Sequence, residues 1–182
     1  MPSLPVPLAR VRRLSRWMRG LAAFGIATLG VTPFLLWASP EWIRLLANGY
    51  GHFAQHPITI NPVVQVLGAL AMLPPSAIGI YALAQVWQLF GEYARGEVFG
   101  ARACRRLRRM ALALIAVAVA QPLSRTLTVL ALTLYNPPGQ KVLAIGISWH
   151  DYTFLLVGGV LLAVAWVMVE ATRLAQEHAE FV

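Results

Sequence analysis

The chain has 182 residues, of which 58% are hydrophobic and only 12% are charged. An ordinary soluble domain is about 25% charged, so this balance favours an integral membrane protein over a soluble domain. The formal net charge is +8, but the basic residues stand in short clusters between long apolar segments. That arrangement predicts anionic lipid headgroups as their partners and argues against direct binding of nucleic acid.

The N-terminal region predicts a basic lead-in and a first membrane span. Three prolines make residues 1–9 a non-helical start, and apolar residues at helical spacing alternate with the arginines that follow, as in an amphipathic stretch within the headgroup region. Residues 21–38 are uncharged and form the first span, which we interpret as a retained anchor. Glycines and prolines predict a loop over residues 39–62, with Trp37 and Trp42 at the outer membrane interface.

Two longer segments follow, joined by a basic hairpin. Residues 63–90 form the second span. As a helix this uncharged stretch is roughly 42 Å long. It therefore exceeds a hydrocarbon thickness of about 30 Å, so we expect both a kink at its two adjacent prolines and an extension into the cytoplasm. Residues 91–109 form a cytoplasmic hairpin, and residues 110–134 form the third span, whose helix is predicted to begin within the arginine cluster.

The fourth span is predicted at residues 152–171, followed by a polar tail. With four spans, the N-terminus, the hairpin and the tail lie on one side and carry twelve of the fifteen basic residues. The two opposite loops carry only Arg44 and Lys141. Because basic loops are retained in the cytoplasm, both termini are predicted to be cytoplasmic. Residues 1–182 are predicted to be one all-α domain, an integral membrane four-helix bundle.

Two stretches carry a family resemblance: residues 88–109, QLFGEYARGEVFGARACRRLRR, and residues 166–182, WVMVEATRLAQEHAEFV. The pattern Leu-Phe…Tyr-x-x-Gly-Glu-x-Phe before a basic helix, with a closing Glu…Phe-Val, resembles a bacterial four-span inner-membrane family of unknown function that includes the YoaS-like proteins. The resemblance implies a multi-pass protein of the bacterial inner (plasma) membrane and supplies no activity. Members are often encoded beside small helix-turn-helix regulators, which suggests membrane-linked regulation.

The hairpin and the tail contain most of the candidate functional residues. A glycine permits a sharp reversal, and two glutamates can pair with arginines across the turn, so the simplest interpretation is a structural hairpin. The alternative is a docking surface for a protein partner. The candidates are Glu92, Tyr93, Gly96, Glu97 and Phe99 in the hairpin and Glu177 in the tail.

Arg125 stands inside the third predicted span. An arginine within a membrane is costly, which marks it as a candidate functional residue. It lies 16 residues after Arg109, roughly 24 Å along a helix. It therefore reaches the outer part of the bilayer, where it can snorkel or pair with Asp151 or Glu41. The alternative is a ligand or ion site in a polar notch formed with Gln121.

Catalytic and metal-binding motifs are missing from the sequence, which contains no GxSxG, P-loop, HExxH or CxxC pattern. We therefore predict no enzyme, no cofactor and no metal site. The leading hypothesis is a regulatory or accessory membrane protein that contacts a cytoplasmic regulator or a membrane protein partner. The second is a subunit of a small transporter or channel, assembled as a homo-oligomer, with a polar notch at Arg125.

Overall fold

The structure, a computed structural model, describes residues 6–49, 58–95, 100–137 and 140–180, with side chains described from residue 11 to residue 173 within those ranges. Five helices make up the fold: α1 (Val6–Ala38), α2 (Pro40–Gly49), α3 (Pro62–Ala94), α4 (Ala101–Thr133) and α5 (Trp149–Glu180). These ranges contain no strand, and the predicted all-α class is confirmed. Four of the helices are long and apolar enough to cross a membrane, so the chain is a multi-pass membrane protein.

The two central spans are longer than a bilayer requires. α3 and α4 each contain 33 residues, roughly 50 Å of helix against a hydrocarbon core of about 30 Å. α3 continues through both of its internal prolines to Ala94, so it extends past the predicted span as expected. Since α4 begins at Ala101, most of the predicted hairpin at 91–109 consists of helix ends.

The outer two spans also extend beyond their predicted limits. α1 begins at Val6, so the prediction that residues 1–9 are non-helical is wrong over its last four positions. Pro7 is tolerated there because the N–H groups of a first turn have no acceptor within the helix. α5 continues to Glu180, past the predicted end of the fourth span at residue 171.

Helix α2 occupies the first part of the segment predicted to be a loop, so that prediction is wrong over residues 40–49. Pro40 opens the helix with a preset backbone angle, and Glu41 places a negative charge at the positive end of the helix dipole. Ile43 and Ala47 are one turn apart and both are buried. The glycines and prolines that predicted a loop lie mostly after Gly49, where the helix ends.

The spans pack in chain order. α1 packs against α3, α3 against α4, and α4 against α5, while α2 contacts α1; within the described ranges no other pair of helices makes extensive contact. α3 and α4 are therefore flanked on two sides, whereas α1 and α5 are flanked on one. Because α1 and α4 stand on either side of α3, grooves form over α3 between them.

Small residues allow the helices to approach closely. The ring of Trp37 lies directly over Gly68, and its indole N–H donates to the sulfur of Met72 at 3.3 Å. On the other flank, a Cβ added to Gly158 would lie 3.0 Å from the carbonyl oxygen of Ala111. Glycine at such contacts is typical of membrane helix pairs. The ring of Trp37 is buried in a cluster with residues of α2, α3 and α4, rather than exposed as the side chains of an aromatic belt are.

The segment before α5 runs beside α4. The N–H of Val142 donates to the hydroxyl of Thr133 at 3.4 Å, and the hydroxyl of Thr126 lies 3.2 Å from the carbonyl oxygen of Ala144. Main-chain groups without helical partners need such contacts near a bilayer. The threonines of α4 thus hold this segment against the helix and bring the start of α5 beside Arg125.

Candidate functional site

Glu92, in the last turn of α3, forms a buried ion pair with Arg106 of α4. Nε of Arg106 lies 2.7 Å from Oε1 of Glu92, whose side chain is only 2% exposed. Another guanidinium nitrogen of Arg106 donates to the side-chain oxygen of Gln88. Gln88 and Glu92 are four residues apart and share one face of α3. The helix therefore presents two acceptor oxygens to one arginine.

The charges of Glu92 and Arg106 hold the end of α3 against the start of α4. A buried carboxylate loses its hydration at a cost of several kcal/mol and needs a partner of opposite charge. Oε2 of Glu92 has no hydrogen-bond partner among the described residues, so the carboxylate depends on Arg106. The pair therefore ties the end of α3 to the first turns of α4, and its geometry agrees with the hypothesis that Glu92 pairs with an arginine across the turn.

The other candidates from the hairpin and the tail are placed unequally. The ring of Tyr93 meets that of Phe90 edge-on, with 5.6 Å between centroids, and packs against a core that joins α3, α4 and α5. Gly96, Glu97 and Phe99 lie outside the described residues, as does the side chain of Glu177, although its backbone belongs to α5. Of these candidates, the structure therefore describes the side chains of Glu92 and Tyr93, which are adjacent in the last turn of α3.

A basic cleft lies over the end of α3, between α1 and α4, with a volume of about 520 Å³. The guanidinium carbon of Arg19 lies 4.2 Å from the centroid of the Trp87 ring, a cation–π contact that holds Arg19 against α3. Arg12, Arg16 and Arg19 reach the cleft because positions i, i+4 and i+7 share one helix face. The residues that line the cleft are Arg12, Arg16, Arg19, Trp87, Gln88, Gly91, Ala94, Arg95 and Arg106. From the sequence these arginines are predicted only as topology determinants, although the spacing of Arg12, Arg16 and Arg19 was a signal that they share a face.

Arg125 forms an ion pair with Asp151 at the opposite end of the protein. Of the two partners predicted for Arg125, Asp151 and Glu41, the structure therefore shows Asp151. The same carboxylate accepts the N–H of Ser148 at 2.7 Å and lies 3.1 Å from its hydroxyl. Since Ser148 directly precedes α5, Asp151 also caps the start of that helix. The Ser-x-x-Asp spacing was a sequence signal for this cap.

The surroundings of Arg125 form a small polar hollow. Its volume is about 270 Å³, and its lining includes Gln121, Ser148, His150 and Phe154. Nε of Arg125 lies 3.5 Å from the carbonyl oxygen of Gln121, one turn earlier in α4. A polar hollow therefore lies beside Arg125 and Gln121, but its arginine is already paired with Asp151.

The charged side chains described at the two ends are mainly arginines and the carboxylates that pair with them. Within the described ranges no three histidine, cysteine, aspartate or glutamate side chains are grouped as metal ligands require. His52 and His56, which stand at i, i+4 spacing in the sequence, lie outside those ranges. The free cysteine, Cys104, is buried within α4. What the described residues offer is guanidinium groups arranged around a cleft, together with two ion pairs between helices.

Comparison with known proteins identifies the family. A family model described as a protein of unknown function, DUF2975, matches residues 50–182, more than half of the chain. The match includes α3, α4 and α5, and with them both stretches that carried the resemblance. No curated protein and no solved structure matches the chain. The chain therefore belongs to the family of proteins of unknown function DUF2975.

Proposed function

We propose that the protein is a non-enzymatic, accessory or regulatory membrane protein that acts through its arginine-rich end, defined as residues 11–20, 85–95 and 100–110, together with its C-terminal tail. The observation that supports this most is the buried network of Gln88, Glu92 and Arg106. A buried ion pair gives little net stability compared with a well-packed apolar pair of similar volume. We therefore infer that the ion pair serves to fix the geometry between the end of α3 and the start of α4.

A defined hairpin suits recognition of a partner. The α4 side of the arginine-rich end carries exposed Arg102, Arg105, Arg108 and Arg109. These residues offer a basic surface held in place by the ion pair behind it. Such a surface fits an acidic patch on a cytoplasmic regulator or on another membrane protein.

The partner is tested by crosslinking at a fixed position. A photo-crosslinking amino acid is placed at Arg105 or, as the matched control at the other end, at Ile145, which is exposed as well. We expect a discrete adduct in native membranes from position 105 only. The adduct should weaken when Glu92→Gln and Arg106→Gln together remove the ion pair. Equal adducts from both positions, or an adduct that is insensitive to the pair, would contradict the proposal.

This function requires the arginine-rich end to lie on the cytoplasmic side of a bacterial inner membrane. The only native cysteine is buried, so Cys104→Ala gives a background for single cysteines at Arg102 and Ile147, which are both exposed. Intact cells treated with a membrane-impermeant maleimide should label Ile147→Cys and leave Arg102→Cys unlabelled until the membrane is permeabilised. The reverse pattern would invert the topology. Labelling of both variants in detergent serves as the control.

A second candidate function rests on the hollow beside Arg125. Its polar lining is compatible with a subunit of a small transporter or channel. Neutralisation of Arg125 by Asp151 leaves few charged groups to line a pathway, so the accessory role is the better supported. Flux through liposomes containing the purified protein that falls with Arg125→Leu would favour transport instead.

A further inference from the structure

The basic cleft over the end of α3 has the properties of a ligand site, and we propose that it binds a phosphate group. Its volume of about 520 Å³ lies within the range of roughly 300–1,000 Å³ typical of small-molecule sites. Three separate helices supply its walls. The proposal goes beyond the function given above, because the cleft lies over α3, whereas the surface proposed for a protein partner is the exposed side of α4.

The charge of the cleft is strongly unbalanced. Five arginines line it, and the one carboxylate that contacts any of them, among the described residues, is Glu92 beside Arg106. The C-terminal end of α3 adds about half a negative charge through its carbonyl groups, which the remaining arginines outweigh. Low-dielectric walls focus such a field and attract an anion. A bound anion would relieve the repulsion among the guanidinium groups.

One of the arginines that line the cleft is held in place by an aromatic ring. Arg19 stacks on Trp87 at 4.2 Å, and its Nε is buried without a hydrogen-bond partner in the described part of the chain. A buried donor left unpaired is unfavourable. Stacking on an aromatic ring restricts the planar guanidinium group, so less freedom is lost when it meets a ligand.

Phosphate is the anion that these donors fit best. The guanidinium group presents paired N–H groups that match two phosphate oxygens, and such charge-assisted pairs are stronger than neutral hydrogen bonds. Arg106 uses Nε and one terminal nitrogen on Glu92 and Gln88, which leaves its other terminal nitrogen for the cleft. Gln88 accepts with its oxygen, so its amide nitrogen remains as a neutral donor.

Two sources carry this chemistry: the headgroup of an anionic phospholipid and a free phosphate in solution. Purified full-length protein is therefore tested in two arms. In the first, native mass spectrometry measures retention of phosphatidylglycerol over phosphatidylcholine from a mixed micelle. In the second, calorimetry measures binding of inorganic phosphate to protein in phosphatidylcholine nanodiscs.

The decisive comparison is between neighbouring arginines. Arg12→Gln removes a residue of the cleft, whereas Arg13→Gln removes the same charge from an exposed position of the same helix that lies outside it. Losing one charge-assisted contact should weaken binding at least about tenfold, so Arg12→Gln should show this loss and Arg13→Gln should not. Gly91→Leu should fill part of the cleft without removing charge, since Gly91 lines it. The larger side chain fits without a clash at its Cβ, which would meet no atom within 4 Å.

Either arm can establish the site. Selective lipid retention with this variant pattern identifies a headgroup, and saturable phosphate binding with the same pattern identifies a soluble phosphate. The proposal is overturned if neither probe binds, or if Arg12→Gln and Arg13→Gln behave alike, since binding would then reflect net charge alone. Loss of a crosslinked protein partner leaves these outcomes unchanged, which separates this site from the proposed function.

Discussion

Replacing Arg106 with leucine should lower the free energy of unfolding by about 3–5 kcal/mol, the usual cost of leaving a buried charge without its partner. Glu92 is 1% exposed as a residue, and Arg106 is its only ion-pair partner among the described residues. The variant would also leave the oxygen of Gln88 without its donor. Denaturation of the purified chain in detergent, followed by circular dichroism, measures the loss.

The control for this prediction is the neighbouring arginine. Arg105 is exposed, and Arg105→Leu should change the unfolding free energy by no more than about 0.5 kcal/mol. Removing both charges with Glu92→Leu and Arg106→Leu should recover most of the stability, because no buried charge remains. Equal effects of Arg105→Leu and Arg106→Leu would show that the pair does not hold α3 to α4.

At the opposite end, Asp151→Leu should cost about 1–3 kcal/mol, the usual cost of removing one partner from a buried hydrogen-bonded pair. The variant removes the carboxylate that pairs with Arg125 and also removes the acceptor for the N–H of Ser148 at the start of α5. The same denaturation in detergent measures the effect. Circular dichroism should also report less helix, since α5 loses its cap.

Two further substitutions separate the roles of this carboxylate. Arg125→Leu should be milder than Asp151→Leu, since Asp151 would keep its two contacts with Ser148. Glu41, the other partner considered from the sequence, is exposed at the start of α2, so Glu41→Leu should cost no more than about 1 kcal/mol. A larger effect at Glu41 than at Asp151 would mean that Arg125 pairs differently in the membrane.

The spans could be predicted because each depends on local composition. A run of about 20 apolar residues satisfies its own backbone hydrogen bonds in lipid and buries its side chains there, whatever its neighbours are. The helix over residues 40–49 was missed because nearby glycines and prolines outweighed the start signal of Pro40 and Glu41. The extension of α1 to Val6 was missed because prolines were taken as breakers, although a first turn accepts them.

From the sequence the candidate residues could be identified, but the contacts that each one makes could not. Glu92 and Arg125 stood out because charged groups next to apolar segments need partners. Which partner each one takes depends on how neighbouring helices rotate and slide. For Arg125 the choice between Asp151 and Glu41 was decided by the segment that α4 holds beside itself, and no local pattern encodes that path.

By itself, the sequence determined the number of apolar spans, the all-α class and the asymmetric distribution of arginines, because all three are properties of composition along the chain. Tertiary structure alone decided that Trp37 lies buried over Gly68 and that α1 and α4 flank α3. It also decided that arginines distant in sequence converge on one cleft. The physical reason is that side chains from different helices meet only once packing sets the order and rotation of the helices. The charge pattern along the chain does not determine that order or that rotation.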